Sequence, residues 1–331
     1  MVGHKEEAML PRGTLLRRRY RVEDVLGSGE CGVTYAALDI QARRAVAVKE
    51  FFPSRLCVRA EGTITLSPRD RESGTQFFLA SEAFLSQHEA LMQAAGSHNV
   101  VSVYDTFFEN GTSYAVMERL RGITLAEYMA RAQRRLQPGE AVTLLTALTE
   151  GLLVVHSLSM LHGGIVPENV FICEDGAVKL VDFAAARETL RLRRAVDGEQ
   201  FQQDIRALGR MVAALLTGRP ALSDAAALYA QLPAPLARVL DCMLSTDDKL
   251  RFDSVFALMH ALNCLEIPPA PLTIPALRME SAPTHEKPAR EPYVAAPGGT
   301  RLRKRARLML LVGGGIAVLL LILILLLIFK A

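Results

Sequence analysis

The chain has 331 residues, of which 50% are hydrophobic, and a formal net charge of +3 at pH 7. This length suffices for one large domain or two lobes with extensions. The small net charge does not indicate any particular class of binding partner. The five cysteines form no C-x-x-C pair, which argues against a zinc site or a disulfide framework and fits reduced cytosolic thiols.

After a short polar lead, residues 1–16, the chain predicts two strands joined by a glycine-rich turn. The strands are predicted at 19–27 and 33–40. Gly27, Gly29 and Gly32 give the spacing G-x-G-x-x-G between them. Such a turn lets backbone N–H groups approach a phosphate, but an ordinary hairpin has the same composition. Because a strand rather than a helix follows the glycines, the pattern does not predict a dinucleotide-binding fold.

Lys49 lies in the next predicted strand, 43–52, whose residues alternate in polarity. A lysine within an apolar strand has two interpretations. It points inward to bind an anionic group, or it lies at the surface with its apolar stem packed against the sheet. The strand pattern alone leaves both open.

The rest of the chain up to residue 266 predicts two further pairs of strands and otherwise helices. The predicted elements are a helix at 75–95, two strands around an Asn-Gly turn within 100–120, a long helix at 140–161, a hairpin at 169–183, and helices near 201–217, 235–244 and 253–264. The prediction is therefore a small β-rich lobe, about 17–118, followed by a larger α-rich lobe, about 121–266.

Seven segments stand out in chain order: the glycine turn, VAVKE around Lys49, MERLRGITL (117–125), LHGGIVPENVFI (161–172), VDFAAAR (181–187), DIRALGRMVAALLTGRP (204–220) and DDKLRF (247–252). In their order and spacing these segments resemble the motifs of protein kinases. The sequence KEFFP after the lysine is similar to bacterial serine/threonine kinases of the eukaryotic type. The resemblance covers roughly residues 17–265 and implies the bilobal α+β fold of that family.

The resemblance also implies that ATP and Mg²⁺ bind between the lobes. The implied phosphate-binding residues are Gly27, Gly29, Gly32 and Lys49. The implied adenine-binding residues are Ala47 and Phe171 on the two faces of the ring, Met117 as gatekeeper, and Glu118 and Leu120 through backbone groups. The implied Mg²⁺ ligands are Asn169 and Asp182.

The segment LHGGIVPENVFI departs from the family pattern H-R-D-x-K-P-E-N, although His162 keeps its place. Gly163 replaces the arginine, Gly164 replaces the catalytic aspartate and Val166 replaces the lysine. In the family, the aspartate accepts the proton of the substrate hydroxyl and the lysine steadies the γ-phosphate. Because positioning and charge stabilisation supply most of this catalysis, we expect phosphoryl transfer to be slower by several powers of ten.

The helix predicted at 75–95 does not offer a glutamate at the position that would face Lys49. Counting back one turn from Leu91 or Met92 gives Gln87 or His88, and Glu89 is out of phase with both. Lys49 is therefore predicted to lack its usual carboxylate partner.

The segment from Asp182 to Asp204 is also unlike that of the family. It contains no A-P-E sequence and Thr189 is its only hydroxyl residue, so it lacks the usual site for docking and phosphorylation. Arg251, which normally pairs with the glutamate of A-P-E, has no evident partner in the sequence and is interpreted as a surface arginine.

The C-terminal part predicts a tether and a membrane anchor. The Pro/Ala-rich residues from 267 onward predict a semi-extended linker that ends in the basic segment RLRKRAR, 301–307. The uncharged apolar run at 308–329 is long enough to span a hydrocarbon core of roughly 30 Å. The basic segment predicts a single-pass anchor in the cell membrane with the preceding domain in the cytoplasm, in contact with membrane lipid rather than nucleic acid. Gly313 and Ala317 form a small-xxx-small pair that could support a homodimer.

These observations favour a membrane-anchored pseudokinase that binds ATP and signals through protein–protein interaction with cytoplasmic partners. The alternative is a divergent active kinase, or another ATP-using transferase, that phosphorylates Ser or Thr of protein substrates. In that case a carboxylate of the substrate would have to replace the missing base. A third interpretation is an interaction module that binds no nucleotide.

Overall fold

The computed structural model describes residues 9–29, 32–183, 198–218 and 230–274. All of these belong to one compact unit that ends at Leu277. Three predicted features lie wholly or largely outside the described residues: the segment between Asp182 and Asp204, the linker, and the membrane-spanning run.

The first lobe consists of β-strands and one helix. Its elements are β1 (Leu15–Leu16), β2 (Tyr20–Ser28), β3 (Gly32–Asp39), β4 (Arg44–Phe51), β5 (Cys57–Arg59), β6 (Leu66–Pro68), α1 (Arg71–Met92), β7 (Val103–Glu109) and β8 (Thr112–Glu118). Six of the strands form a sheet in the order β1-β2-β3-β4-β8-β7, in which all pairs are antiparallel. The predicted strands on both sides of the glycine turn and around Lys49 are confirmed. Asn110 and Gly111 have positive φ in the β7–β8 turn, as their sequence predicts.

Helix α1 packs against this sheet through aromatic side chains. The side chain of Asp70 caps the helix by accepting a hydrogen bond from the Ser73 N–H, at 2.8 Å. The ring of Phe51, on β4, has its centroid 5.6 Å from that of Phe77 and 5.4 Å from that of Phe84 on α1. These contacts fix which face of β4 looks towards the helix.

A two-stranded hairpin, β5 with β6, precedes α1 and was not predicted from the sequence. Arg59 of this hairpin forms a fully buried ion pair with Glu50 of β4. Glu50 also accepts hydrogen bonds from the hydroxyls of Tyr35, at 2.9 Å, and Tyr114, at 2.7 Å. Strands of three residues carry too little periodicity to predict, and a buried ion pair requires a partner that only the folded chain supplies.

The second lobe is mainly helical. Its elements are β9 (Gly122–Thr124), α2 (Leu125–Ala132), α3 (Pro138–Ser157), β10 (Val170–Cys173), β11 (Val178–Leu180), α4 (Gly198–Thr217), α5 (Ala234–Leu244) and α6 (Val255–Asn263). By length and composition α3 could cross a membrane, but 56% of its apolar window is buried within the domain. It packs against α4, α6 and β11, so its hydrophobicity is that of a central core helix.

Residues 267–274, which we call the strap, continue the folded domain past the predicted boundary at Glu266. Leu272 is buried in the core of the second lobe. The Ala270 N–H donates to the Gly139 carbonyl at 3.0 Å, and the Thr143 hydroxyl donates to the Ala270 carbonyl at 2.8 Å. The first residues of the predicted linker therefore bind along the start of α3.

Candidate functional site

The three glycines of the turn between β2 and β3 have different surroundings. Gly27 pairs with Thr34, and the Gly29 N–H donates to the Gly32 carbonyl at 2.8 Å, which closes the hairpin. A Cβ at Gly32 would clash with the backbone oxygen of Glu50, so packing within the protein requires this glycine. Around Gly27 and Gly29 no described residue lies within 4 Å of an added Cβ. These two positions leave the backbone accessible from outside, as a phosphate-binding turn requires.

Lys49 points into the cleft between the lobes. Its ammonium group forms an ion pair with the carboxylate of Asp182, which follows β11 in the second lobe. The Lys49 side chain is 11% exposed, which excludes the surface interpretation. Helix α1 supplies no carboxylate to Lys49, as predicted, but Lys49 is not unpaired. Its carboxylate partner comes from the other lobe, which the sequence did not reveal.

Helix α1 presents an amide and a neutral imidazole where a glutamate was sought. Gln87 is 6% exposed and His88 is 3% exposed. The Nδ1 of His88 lies 2.7 Å from the Phe84 carbonyl. Burial, and next the positive charge of Lys49, lower the pKa of His88 to about 3, so the ring is neutral. Neither side chain brings a negative charge to Lys49.

Asp182 and Asn169 lie side by side and present oxygen atoms suited to Mg²⁺. The Val181 N–H donates to the Asn169 carbonyl at 3.0 Å, which places the two side chains at neighbouring backbone positions. The Asn169 amide group donates through Nδ2 to the Gly164 carbonyl at 2.9 Å, which directs that nitrogen away from a cation and leaves Oδ1 as the ligand atom. Burial opposes ionisation of Asp182, but Lys49 outweighs it and holds the pKa of this carboxyl below its usual value. A carboxylate and an amide oxygen are the hard ligands that Mg²⁺ prefers, so these residues fit the ion.

The loop 161–169 is held in place by hydrogen bonds from its backbone to helix α4. Asp204 of α4 accepts hydrogen bonds from the N–H groups of His162 and Gly163, each at 2.9 Å. The Nε2 of His162 lies 3.1 Å from the Val181 carbonyl, and its ring centroid lies 4.6 Å from that of Phe183. Burial lowers the pKa of His162, so it is a neutral structural group.

This loop nevertheless carries no ionisable side chain at the positions where the family has its catalytic groups. Gly164 has only backbone there, and its N–H donates to His162 Nδ1 at 3.2 Å. Gly163 has φ +68°, a conformation that favours glycine. Val166 is 42% exposed and offers only an apolar side chain. The loop is therefore held by hydrogen bonds but has no side chain at position 164 to accept a proton.

The residues predicted to bind adenine occupy strands on both sides of the cleft. Ala47 of β4 pairs with Met117 of β8 in the first lobe, whereas Phe171 of β10 belongs to the second. The N–H of Glu118 donates to the Ser102 carbonyl at 2.9 Å. Its side chain accepts from the Ser102 N–H at 2.8 Å and binds the Lys179 ammonium at 2.7 Å. Since the Glu118 N–H is used within the protein, its carbonyl is the group left for an adenine. Adenine binding by these residues and by Leu120 stays a prediction.

Arg251 has partners that the sequence did not reveal. Its guanidinium binds Glu199 of α4 at 2.6 Å and Asp248 at 2.8 Å. Glu199 also accepts from Arg206 at 2.9 Å. The prediction that Arg251 has no partner was therefore wrong, although the pair lies at the surface, where the Glu199 side chain is 56% exposed. Glu199, in the first turn of α4, supplies the carboxylate that the missing A-P-E sequence supplies elsewhere. A search for a glutamate shortly before Asp204 would have found it.

A cavity of about 500 Å³ opens beside the loop, between Gly164 and helix α4. Its walls include Val166 and Pro167 of the loop and Ala207 and Met211 of α4. None of the lining residues described is among those predicted to bind nucleotide. The cavity is thus separate from the Lys49–Asp182 cleft.

The two lobes, the glycine turn, the lysine in the cleft and the ordered loop together define a domain of the protein kinase type. A family model described as "protein kinase domain" matches residues 20–202. The chain therefore belongs to the protein kinase family. A solved structure, "PpkA-294 apo form", is similar with a TM-score of 0.65 and 23% identity, covering 77% of this chain and 99% of that one. This likeness supports the fold.

Curated relatives are bacterial kinases. Serine/threonine-protein kinase D of Synechocystis is 24% identical, over 81% of this chain and 56% of that protein. Serine/threonine-protein kinase PknL of Mycobacterium bovis is 27% identical, over 68% of this chain and 56% of that protein. Serine/threonine-protein kinase PrkC of Bacillus subtilis is 30% identical, over 62% of this chain and 32% of PrkC. The chain thus spans about half the length, or less, of these relatives.

Proposed function

We propose that this protein is a membrane-anchored pseudokinase that binds ATP with Mg²⁺ and signals through protein–protein interaction. The observation that carries the proposal is Gly164. It lies in a loop whose framework is complete, yet it brings no side chain to the point where the family has its proton acceptor. Loss of that group, and of the lysine replaced by Val166, removes most of what positions and stabilises the reacting groups.

Nucleotide binding is supported by the groups retained in the cleft. Lys49 supplies a charge for the phosphates, and the absence of described atoms around Gly27 and Gly29 leaves room for them beside the turn. Asn169 and Asp182 would hold Mg²⁺, which neutralises phosphate charge when bound. Packing of the protein core does not require this combination, which favours a bound nucleotide over an empty relic.

Membrane attachment is supported by the sequence of the C-terminal part. The apolar run at 308–329 would be the single-pass anchor, and the basic segment 301–307 would keep the kinase-like domain on the cytoplasmic side of the cell membrane. Protein partners would then be met at that surface. Pairing of two anchors through Gly313 and Ala317 would give a homodimer.

Thermal unfolding of the full chain in detergent, with and without ATP and Mg²⁺, tests the nucleotide-binding part of the proposal. At 100 times Kd, nucleotide should stabilise the fold by about 2.7 kcal/mol, a shift of a few degrees in Tm. We expect the shift to disappear in Lys49→Ala and Asp182→Ala. If the wild-type Tm does not move, the domain is an interaction module without nucleotide.

The alternative function is a divergent active kinase, and the specific observation in its favour is the retention of Lys49, Asn169 and Asp182 around an ordered loop. It differs from the proposal in one measurable way. It requires transfer of the γ-phosphate to protein above the level given by Lys49→Ala.

A further inference from the structure

Gln87 is an unusual residue for the interior of a protein. It lies on α1 one turn before Leu91 and is 6% exposed. Neither its Oε1 nor its Nε2 has a hydrogen-bond partner among the described residues. Buried polar groups are nearly always paired, because the loss of hydration is otherwise not compensated. Gln87 is therefore a buried amide to which no described residue offers a hydrogen bond.

Gln87 and Lys49 face the same gap between α1 and the sheet. Phe51 contacts Phe84 of α1, and Lys49 lies two residues before Phe51, so its side chain leaves β4 on the same face. One turn beyond Phe84, α1 presents Gln87 and His88. The charge of Lys49 contributes to the low pKa of His88, in agreement with this shared face.

In the structure, the partner of Lys49 is Asp182. The same carboxylate is the ligand predicted for Mg²⁺. The ammonium group and the metal ion compete for this carboxylate, and their positive charges repel each other. When the metal and nucleotide bind, the Lys49 ammonium needs acceptors other than Asp182. The phosphates provide one, and the Oε1 of Gln87 is a buried acceptor that is not otherwise used.

We propose that Lys49 changes partners when Mg²⁺ and nucleotide bind, leaving Asp182 and donating a hydrogen bond to Gln87. Gln87 is then a positioning residue for Lys49. A neutral amide holds the ammonium in place without cancelling its charge, so that the full charge acts on the phosphates. This inference rests on the proposed nucleotide binding.

Gln87→Met tests the inference, because methionine has nearly the shape of glutamine but no amide. We expect two opposite effects in the full chain. The Tm of the nucleotide-free protein should rise, since an unpaired buried polar group is removed. The Kd for ATP with Mg²⁺, measured by calorimetry, should increase about tenfold, the size expected for a lost hydrogen bond to a charged group.

Gln93→Met is the matched control, because Gln93 is exposed at the end of the same helix. It should leave both Tm and Kd unchanged. Gln87→Glu adds a second arm: a carboxylate at this position should attract Lys49 away from Asp182 in the free protein. The Mg²⁺ concentration needed for half-maximal ATP binding should therefore fall several-fold.

The outcomes separate this inference from the proposed function. If wild type binds ATP in a Lys49-dependent manner but Gln87→Met binds it equally well, the exchange of partners is refuted while nucleotide binding stands. If wild type binds no ATP, the proposed function fails and the exchange fails with it. A fall in Tm for Gln87→Met would show that the amide is already paired in the free protein, which also refutes the inference.

Discussion

Gly27 and Gly32 lie in the same turn, but the structure requires glycine at only one of them. A side chain at Gly32 would meet the backbone oxygen of Glu50 in the neighbouring strand, which cannot move without disturbing the sheet. A side chain at Gly27 would project into a space free of described residues. The glycine at position 32 thus serves packing, and the one at position 27 is available to a ligand.

The two glycines should therefore respond differently to replacement by alanine. We expect Gly32→Ala to lower the free energy of unfolding by about 1–3 kcal/mol through overpacking. Gly27→Ala should change it by less than about 0.5 kcal/mol and instead weaken ATP binding. Chemical denaturation and calorimetry on the same two variants check this. Equal losses of stability would contradict the assignment.

At the residue scale, a local motif was sufficient to single out Lys49, Asn169 and Asp182. The structure pairs Lys49 with Asp182 and joins Asn169 to the residue before Asp182 by a backbone hydrogen bond. Their roles in binding nucleotide and Mg²⁺ stay predictions. The partners of Lys49 and Arg251 were missed, because each pair joins residues far apart in sequence: 49 with 182, and 251 with 199. Such pairs depend on how the elements pack, which residue types alone do not determine.

At the scale of elements, ion pairs of Glu199 connect the start of α4 with the segment before α6. Its carboxylate binds both Arg206 and Arg251, and these hydrogen bonds hold the pKa of Glu199 below its usual value. A carboxyl whose pKa is lower in the folded state stabilises the fold above its unfolded pKa, about 4.3. This stabilisation is lost as the pH falls through the lower, folded value.

Glu199→Gln should consequently be less stable than wild type at pH 7, and the difference should shrink as the pH falls below about 4. Tm measured from pH 7 down to pH 3 checks this, with the exposed Glu61→Gln as a control that shows no such convergence. A difference that is the same at both ends of the range would mean that the charge of Glu199 is not what matters.

The strap is a second case in which an element contributes more than its composition suggests. Three prolines within residues 267–274 predicted a segment unable to build a core. Leu272 is nevertheless buried, because the second lobe supplies the apolar surface around it. A Cβ at Gly139 would approach the Pro268 oxygen to 2.8 Å, so the strap also explains a glycine in the first turn of α3.

We expect the free energy of unfolding to be about 3 kcal/mol lower for a chain that ends at Glu266 than for one that ends at Leu277, because the burial of Leu272 and two hydrogen bonds are lost. Gly139→Ala should destabilise the longer chain by crowding the strap. In the shorter chain it should be neutral or stabilising, because alanine is the better helix former. The same effect of Gly139→Ala in both chains would show that the strap does not pack there in solution.

The order of the main elements was predictable because their hydrophobic periods are long. The helices at 71–92, 138–157 and 198–217 and the strands around the two turns were all found. The hairpin of β5 and β6 was not, since it depends on the buried pair of Arg59 with Glu50 rather than on any pattern of its own.

At the scale of the whole molecule, the kinase fold is kept while the loop lacks the side chains that the family has at positions 164 and 166. The lobes are connected across the cleft by Lys49 and Asp182, and the loop is fixed to α4 by Asp204. Under the proposed function, these contacts keep in place a site for the nucleotide. Gly164 brings to that site no side chain that could accept the proton of a protein hydroxyl. We therefore expect binding of ATP without transfer of its phosphate.

The measurement that tests this separation most directly uses the full chain in detergent with Mg²⁺ and ATP labelled at the γ-phosphate. Bound label and label transferred to protein are counted in the same sample, for wild type and for Lys49→Ala. We predict that wild type retains intact ATP, that Lys49→Ala does not, and that neither protein carries covalent phosphate. Covalent label on wild type, lost in Lys49→Ala, would show that the protein is an active kinase despite Gly164.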